Sequence, residues 1–206
     1  MTHAVTIRPS REARTLIRGL WDRFETAGVP LGFDRKLIEP HVTLSVVEAD
    51  GEDPAATIAA LEAWCRRFAA ALPRVPLHLP SLGVFPGGQG SVLFVGATAR
   101  GALGDAFEAF REGIPDGCRI ADRIYSPTLW MPHVTLALGL DPPTLERAVR
   151  IAAQHFTPLA AEAEDLELYE LMPVERVLRI ALGPCDCGLD KRSCGRCERI
   201  RFRLRS

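Results

Sequence analysis

Pro40-His41-Val42-Thr43-Leu44 returns unchanged as Pro132-His133-Val134-Thr135-Leu136, and the reading of this repeat decides the fold. Valine, threonine and leucine suit a strand, and a strand sends alternate side chains to opposite faces. His41, Thr43 and Ser45 are therefore expected on one face, with Val42, Leu44 and Val46 on the other. The second copy is expected to set His133 and Thr135 against Val134, Leu136 and Leu138. One face is apolar and needs a core. The other carries a titratable imidazole beside a hydroxyl. The proline before each histidine cannot donate to a ladder, which marks the first residue of each strand. A single copy would read as a buried strand with hydrogen-bonded polar side chains. Two copies read as a paired acid–base device.

Outward from these strands the chain repeats itself. Residues 3–8 read as a strand and 10–27 as a helix, with Ala13, Leu16, Leu20 and Phe24 on one face. The first motif strand spans about 41–48. Asp53-Pro54 then reads as an N-cap with proline in the first turn, opening a helix to Leu72. Ile58, Leu61, Cys65, Phe68 and Leu72 follow three-four spacing, so Cys65 reads as core. A strand at about 75–84 ends the first copy. The plan restarts with a strand at 91–98 and a helix at 101–112, with Leu103, Phe107 and Phe110 inward. A connector at about 114–131 leads to the second motif strand. Asp141-Pro142 caps a helix whose buried side is Leu145, Ala148, Val149, Ala152 and Phe156, and strands follow at 163–171 and 175–183. The copies are about 1–85 and 89–173. This predicts an α+β fold: a bilobal, pseudo-symmetric duplication over 1–183, with both motif faces lining a central cleft.

The chain has 206 residues, 47% hydrophobic and 25% charged, as in an ordinary globular protein long enough for a sizeable core. A net charge of −1 offers no global attraction for nucleic acid, so any basic surface must be local. No apolar run approaches a membrane span. Arg8, Arg11, Glu12 and Arg14 interrupt any leader pattern, and a cytoplasmic monomer is expected.

The paired H-x-T-x motifs, 92 positions apart, resemble those of the two-histidine (2H) phosphoesterase superfamily, which includes 2′–5′ RNA ligases and cyclic nucleotide phosphodiesterases. The resemblance covers about residues 1–183. It implies antiparallel sheets forming a concave cleft with helices outside. It also implies that His41 and His133 divide the roles of base and acid, with Thr43 and Thr135 beside them, in opening a 2′,3′-cyclic phosphate to a 2′-phosphate. The chemistry fits the residues: histidine titrates near pH 6.5, so one copy can be neutral and the other protonated. Two hydroxyls can hold the non-bridging oxygens. No cofactor is expected for catalysis. The expected partner is RNA with a 2′,3′-cyclic phosphate end, or a cyclic nucleotide. The alternatives are 2′–5′ ligation of RNA and a non-catalytic RNA-binding module. Identical motifs leave open which histidine is the base.

The connectors before each motif hold Phe33, Arg35 and Lys36 in the first, and Arg119, Arg123, Tyr125 and Trp130 in the second. Arginine suits a terminal phosphate and an aromatic ring suits a base. The alternative is an ordinary surface connector. His3, His78 and His155 read as structural or exposed, with His3 able to border the cleft. Residues 184–206 depart from the family pattern. Cys185, Cys187, Cys194 and Cys197 form C-x-C-x₆-C-x₂-C, a spacing that suits a structural zinc, with disulfides, a redox pair or an iron–sulfur cluster as alternatives. A last strand alternates Arg199, Arg201, Arg203 and Arg205 with Ile200, Phe202 and Leu204. It reads as a charged edge strand or an RNA backbone contact.

Overall fold

Strand β1 (Thr2–Pro9) and helix α1 (Arg11–Thr26) open the computed structural model, which describes residues 1–121 and 123–183. The helix turns Ala13, Ile17, Leu20, Trp21 and Phe24 into the core. Leu16, expected on that face, is 45% exposed. Positions 13, 17, 20 and 24 follow the helical period, and 16 falls roughly a quarter turn from the centre of that stripe.

The first motif strand is β2 (Val42–Ala49), followed by α2 (Pro54–Ala71). The Asp53 carboxylate accepts the N–H groups of Ala55 and Ala56 and satisfies two otherwise orphaned donors. Leu61, Cys65 and Phe68 are buried along this helix. Burial pushes the Cys65 thiol up to about 12, as for an inert core residue. The single strand expected over 75–84 breaks into β3 (Val75–Leu79) and β4 (Ser81–Phe85). The residue between them is Pro80, which has no N–H for a ladder and lets the chain change sheets.

The second half runs β5 (Ser91–Gly96), α3 (Ala102–Glu112), β6 (Cys118–Ile120), a 3₁₀ turn (Arg123–Tyr125), the second motif strand β7 (His133–Leu140) and α4 (Pro142–His155). Asp141 caps α4 by accepting from the Thr144 N–H. Strands β8 (Leu159–Leu171) and β9 (Val174–Ala181) end the described chain. The Cys185, Cys187, Cys194 and Cys197 set and the expected strand at 199–204 lie outside the described residues. No described helix is long and apolar enough to cross a membrane.

Two antiparallel sheets result. The larger has the order β3-β8-β1-β2-β6, with β9 also on β8; the smaller has the order β4-β5-β7. One pattern underlies both. In each, a motif strand pairs with the strand that precedes it in its own half, β2 with β1 and β7 with β5. The outer place beside that pair is taken by a strand from the other half, β8 beside β1 and β4 beside β5. Each half therefore lends a strand to its partner, which locks the two lobes together. The apolar faces carry one continuous core that includes Leu44, Phe68, Phe107, Leu136 and Leu166.

Both motif strands depart from simple alternation at the same place. Thr6 faces Thr43 but Val5 faces Ser45, so Leu44 is an extra residue in β2. Phe94 faces Thr135 but Leu93 faces Ala137, so Leu136 is the extra residue in β7. A bulge of this kind puts two successive residues on one side and inverts the alternation beyond it. Ser45, expected beside Thr43 on the open face, is fully buried, and Val46 is half-exposed. In the second copy Ala137 is buried and Leu138, expected in the core, is 38% exposed.

Candidate active site

The two motif strands lie close together where the lobes meet. At that junction the Leu138 N–H donates to the Leu31 carbonyl at 2.9 Å. Val42, Leu44, Val134 and Leu136 are buried beneath the strands and leave Thr43 and Thr135 on the opposite face. His41 and His133 stand at the strand starts, half-buried.

The two imidazoles are held in the same way. His41 Nδ1 is 2.7 Å from the Glu39 carbonyl, and His133 Nδ1 is 2.8 Å from the Met131 carbonyl. A carbonyl only accepts, so each Nδ1 carries the hydrogen. In a neutral ring this leaves the Nε2 lone pair open, which is the tautomer a base needs. The buried proline between each carbonyl and its histidine fixes the short loop that makes this bond. Burial pushes both histidines below their ordinary value, with the carbonyl bond working against it. The charge of His41 also bears on His133, so the two rings lie within electrostatic reach of each other.

The surroundings are not equivalent. Beside His133 stand the rings of Phe85, edge-on at 5.0 Å, and Phe94, tilted at 5.1 Å. Gly83 makes room for this packing: a Cβ there would lie 2.4 Å from Phe94 Cζ. Beside His41 stands Tyr169, ring centres 6.4 Å apart. The Tyr169 hydroxyl donates to Glu167 Oε2 at 3.2 Å. Glu167 has no exposed surface and takes Arg179 Nε at 2.6 Å, with Arg176 at 3.7 Å. Sheet register explains the cluster: Thr43 faces Thr6, Thr6 faces Glu167, and Glu167 faces Arg179, one row across four strands.

The connector residues serve the scaffold in several cases. Phe33 packs edge-on against Trp21 at 5.3 Å. Arg35 binds Asp22 at 2.7 Å and Glu25 at 2.8 Å on α1, and the bond to Asp22 holds its guanidinium above the ordinary value. Arg119 pairs with Glu48 and with Asp50. Trp130 stacks flat on Phe107 at 4.0 Å and its indole N–H donates to the Thr43 carbonyl at 3.1 Å. It thus braces the first motif strand from the second connector. Arg123 and Lys36 are exposed, and the Tyr125 carbonyl accepts from Arg111. His78 and His155 are exposed, whereas His3 is buried facing Val47 on β2, among the residues of the core side.

Sequence reading missed Thr6, Glu167, Tyr169, Phe85 and Phe94. The available signal was Leu166-Glu167-Leu168-Tyr169, in which polar residues alternate with core leucines on a strand flanked by apolar residues. Its neighbours could not be read, because β8 pairs with a strand from the opposite end of the chain.

Several solved structures share this architecture. E. coli LigT complexed with 3′-AMP superposes with a TM-score of 0.53 at 16% identity, over 88% of this chain and 97% of that one. TT0787 of Thermus thermophilus gives 0.58 at 20% identity, over 88% and 98%. Usb1 of Kluyveromyces marxianus gives 0.53 at 16%, over 89% and 98%. At these identities the likeness is one of fold. No curated protein matches the chain. The family model described as the 2′-5′ RNA ligase superfamily matches residues 9–172, a span that contains both histidine motifs, the four described α-helices and most of the described strands. The chain belongs to the 2′-5′ RNA ligase superfamily of two-histidine phosphoesterases.

Proposed function

We propose that the chain opens 2′,3′-cyclic phosphates of RNA ends or nucleotides to phosphomonoesters, with His41 and His133 as the acid–base pair. The observation that carries this reading is the matched geometry of the two imidazoles, each with Nδ1–H tied to the carbonyl two residues back and Nε2 left for proton transfer. One imidazole takes a proton from the attacking water, and the other gives one to the departing ribose oxygen. Each transfer is worth about 10²–10⁴-fold. Thr43 and Thr135 donate to the non-bridging phosphate oxygens and hold phosphorus in line. Membership of a superfamily that acts on phosphodiesters supports the reaction type. The 3′-AMP in E. coli LigT supports a nucleotide-sized ligand for this fold.

The test is turnover of a 2′,3′-cyclic nucleotide and of a short RNA with a cyclic phosphate end, by wild type, His41→Ala and His133→Ala. We expect the phosphomonoester from wild type and a loss of about 10²-fold or more in each variant with circular dichroism unchanged. Full activity in both folded variants would overturn the reading. Joining of RNA ends without hydrolysis would replace it with ligation.

A further inference from the structure

We propose that Glu167 is a positioning residue that makes the two histidines unequal, keeping the proton on His41 so that His41 serves as general acid and His133 as general base. The acid and base labels rest on the function proposed above. The inequality itself rests on what surrounds each ring.

Glu167 has no exposed surface, although it lies on the opposite strand face from Leu166 and Leu168, which are in the core. A buried carboxylate is costly unless its oxygens are engaged. Here Oε1 takes Arg179, and Oε2 takes the Tyr169 hydroxyl whose ring stands by His41. The network thus fixes the Glu167 carboxylate one hydrogen bond from the tyrosine whose ring stands by His41, within electrostatic reach of that imidazole. Among the described residues no such carboxylate network stands beside His133, which meets Phe85 and Phe94 instead.

Among the described residues, the other charged groups on the elements around His41 are engaged elsewhere. Arg176 and Arg179 of β9 are held on Glu167 itself. Arg8 of β1 is paired with Asp165. The Glu39 carboxylate is turned to Arg18 of α1, and only its carbonyl meets the imidazole. From the other lobe, His133 is the titratable group among the described residues that interacts with His41. Burial lowers both rings, but Glu167 raises His41 while His41 lowers His133. In the proposed order His133 loses its proton first as pH rises, and the competent form has His133 neutral and His41 protonated. That form is lost below the His133 value and again above the His41 value.

The experiment is a ¹H–¹³C NMR titration of both imidazoles in the full chain without substrate, with His41→Ala and His133→Ala used for assignment. We expect His41 to titrate above His133. Glu167→Gln should lower the His41 midpoint, because a negative charge that favours the imidazolium is removed, and shift His133 less. Glu167→Asp should keep the His41 midpoint high. Arg179→Gln, which leaves Glu167 less neutralised, should raise it. A merely structural carboxylate would not move the midpoint in opposite directions. The alkaline limb of kcat/KM should follow His41 in each variant. The proposal is overturned if His133 titrates at or above His41, or if the Glu167 and Arg179 variants leave His41 unmoved. If cyclic phosphates prove not to be substrates while the titration order holds, the proposed reaction fails and the proton assignment stands.

Discussion

Replacing Trp130 by phenylalanine separates two roles for this residue. Phenylalanine keeps an aromatic face for Phe107, or for a nucleobase, but removes the indole N–H that donates to the Thr43 carbonyl at 3.1 Å. The lost hydrogen bond is worth about 0.5–1.5 kcal/mol net. The smaller ring also gives up roughly 40 Å² of apolar surface, about 1 kcal/mol if fully buried, at ~25 cal/mol per Å². Trp130 is half-buried, so about half of that applies. The total is about 1–2 kcal/mol, or roughly 2–8 °C in Tm for a chain of this size. Urea unfolding followed by tryptophan fluorescence and circular dichroism measures it. Turnover of a 2′,3′-cyclic nucleotide should fall through kcat, because the carbonyl released belongs to the residue whose hydroxyl is assigned to the phosphate. If the unfolding midpoint is unchanged while KM rises, Trp130 contacts substrate and does not brace β2, and the reasoning fails.

Gly83→Ala puts a methyl group where the Phe94 ring lies, 2.4 Å from Cζ. Overpacking of this kind costs about 1–3 kcal/mol. Shortening the ring in Gly83→Ala/Phe94→Leu should recover part of the loss; strictly additive unfolding free energies for the two changes would show that the contact is not the cause. For the cysteine-rich end, the C-x-C-x₆-C-x₂-C spacing predicts about one zinc per chain, lost in Cys185→Ser/Cys197→Ser. Metal content of the full chain by plasma emission spectrometry, with thiol titration alongside, checks it; equal metal in both proteins would refute a zinc site there.

Much of the architecture was legible because it is written locally. Asp53 and Asp141 announce their helices by side-chain capping, a contact between residues two or three apart. The apolar stripe of α2 and the repeated motif likewise need only neighbours in the chain. Three features escaped for one reason, that their causes are distant. The bulges at Leu44 and Leu136 are set by what β1 and β5 present across the ladder, and the adjoining Ser45 and Ala137 are small enough to suit either face. The exchange of β4 and β8 depends on which edge is open once both halves have folded. The scaffold contacts of Arg35 and Trp130 depend on where α1 and α3 end up.

The pentapeptide by itself determined that two histidine–threonine strands exist, and that each sets its threonine against buried valine and leucine. It could not make those strands different, because identical residues carry identical local preferences. Only the tertiary structure decided the difference. It set a buried carboxylate near His41 and two phenyl rings against His133. The physical reason is the exchanged strands, which bring Glu167 from residues 159–171 to the first motif and Phe85 from residues 81–85 to the second.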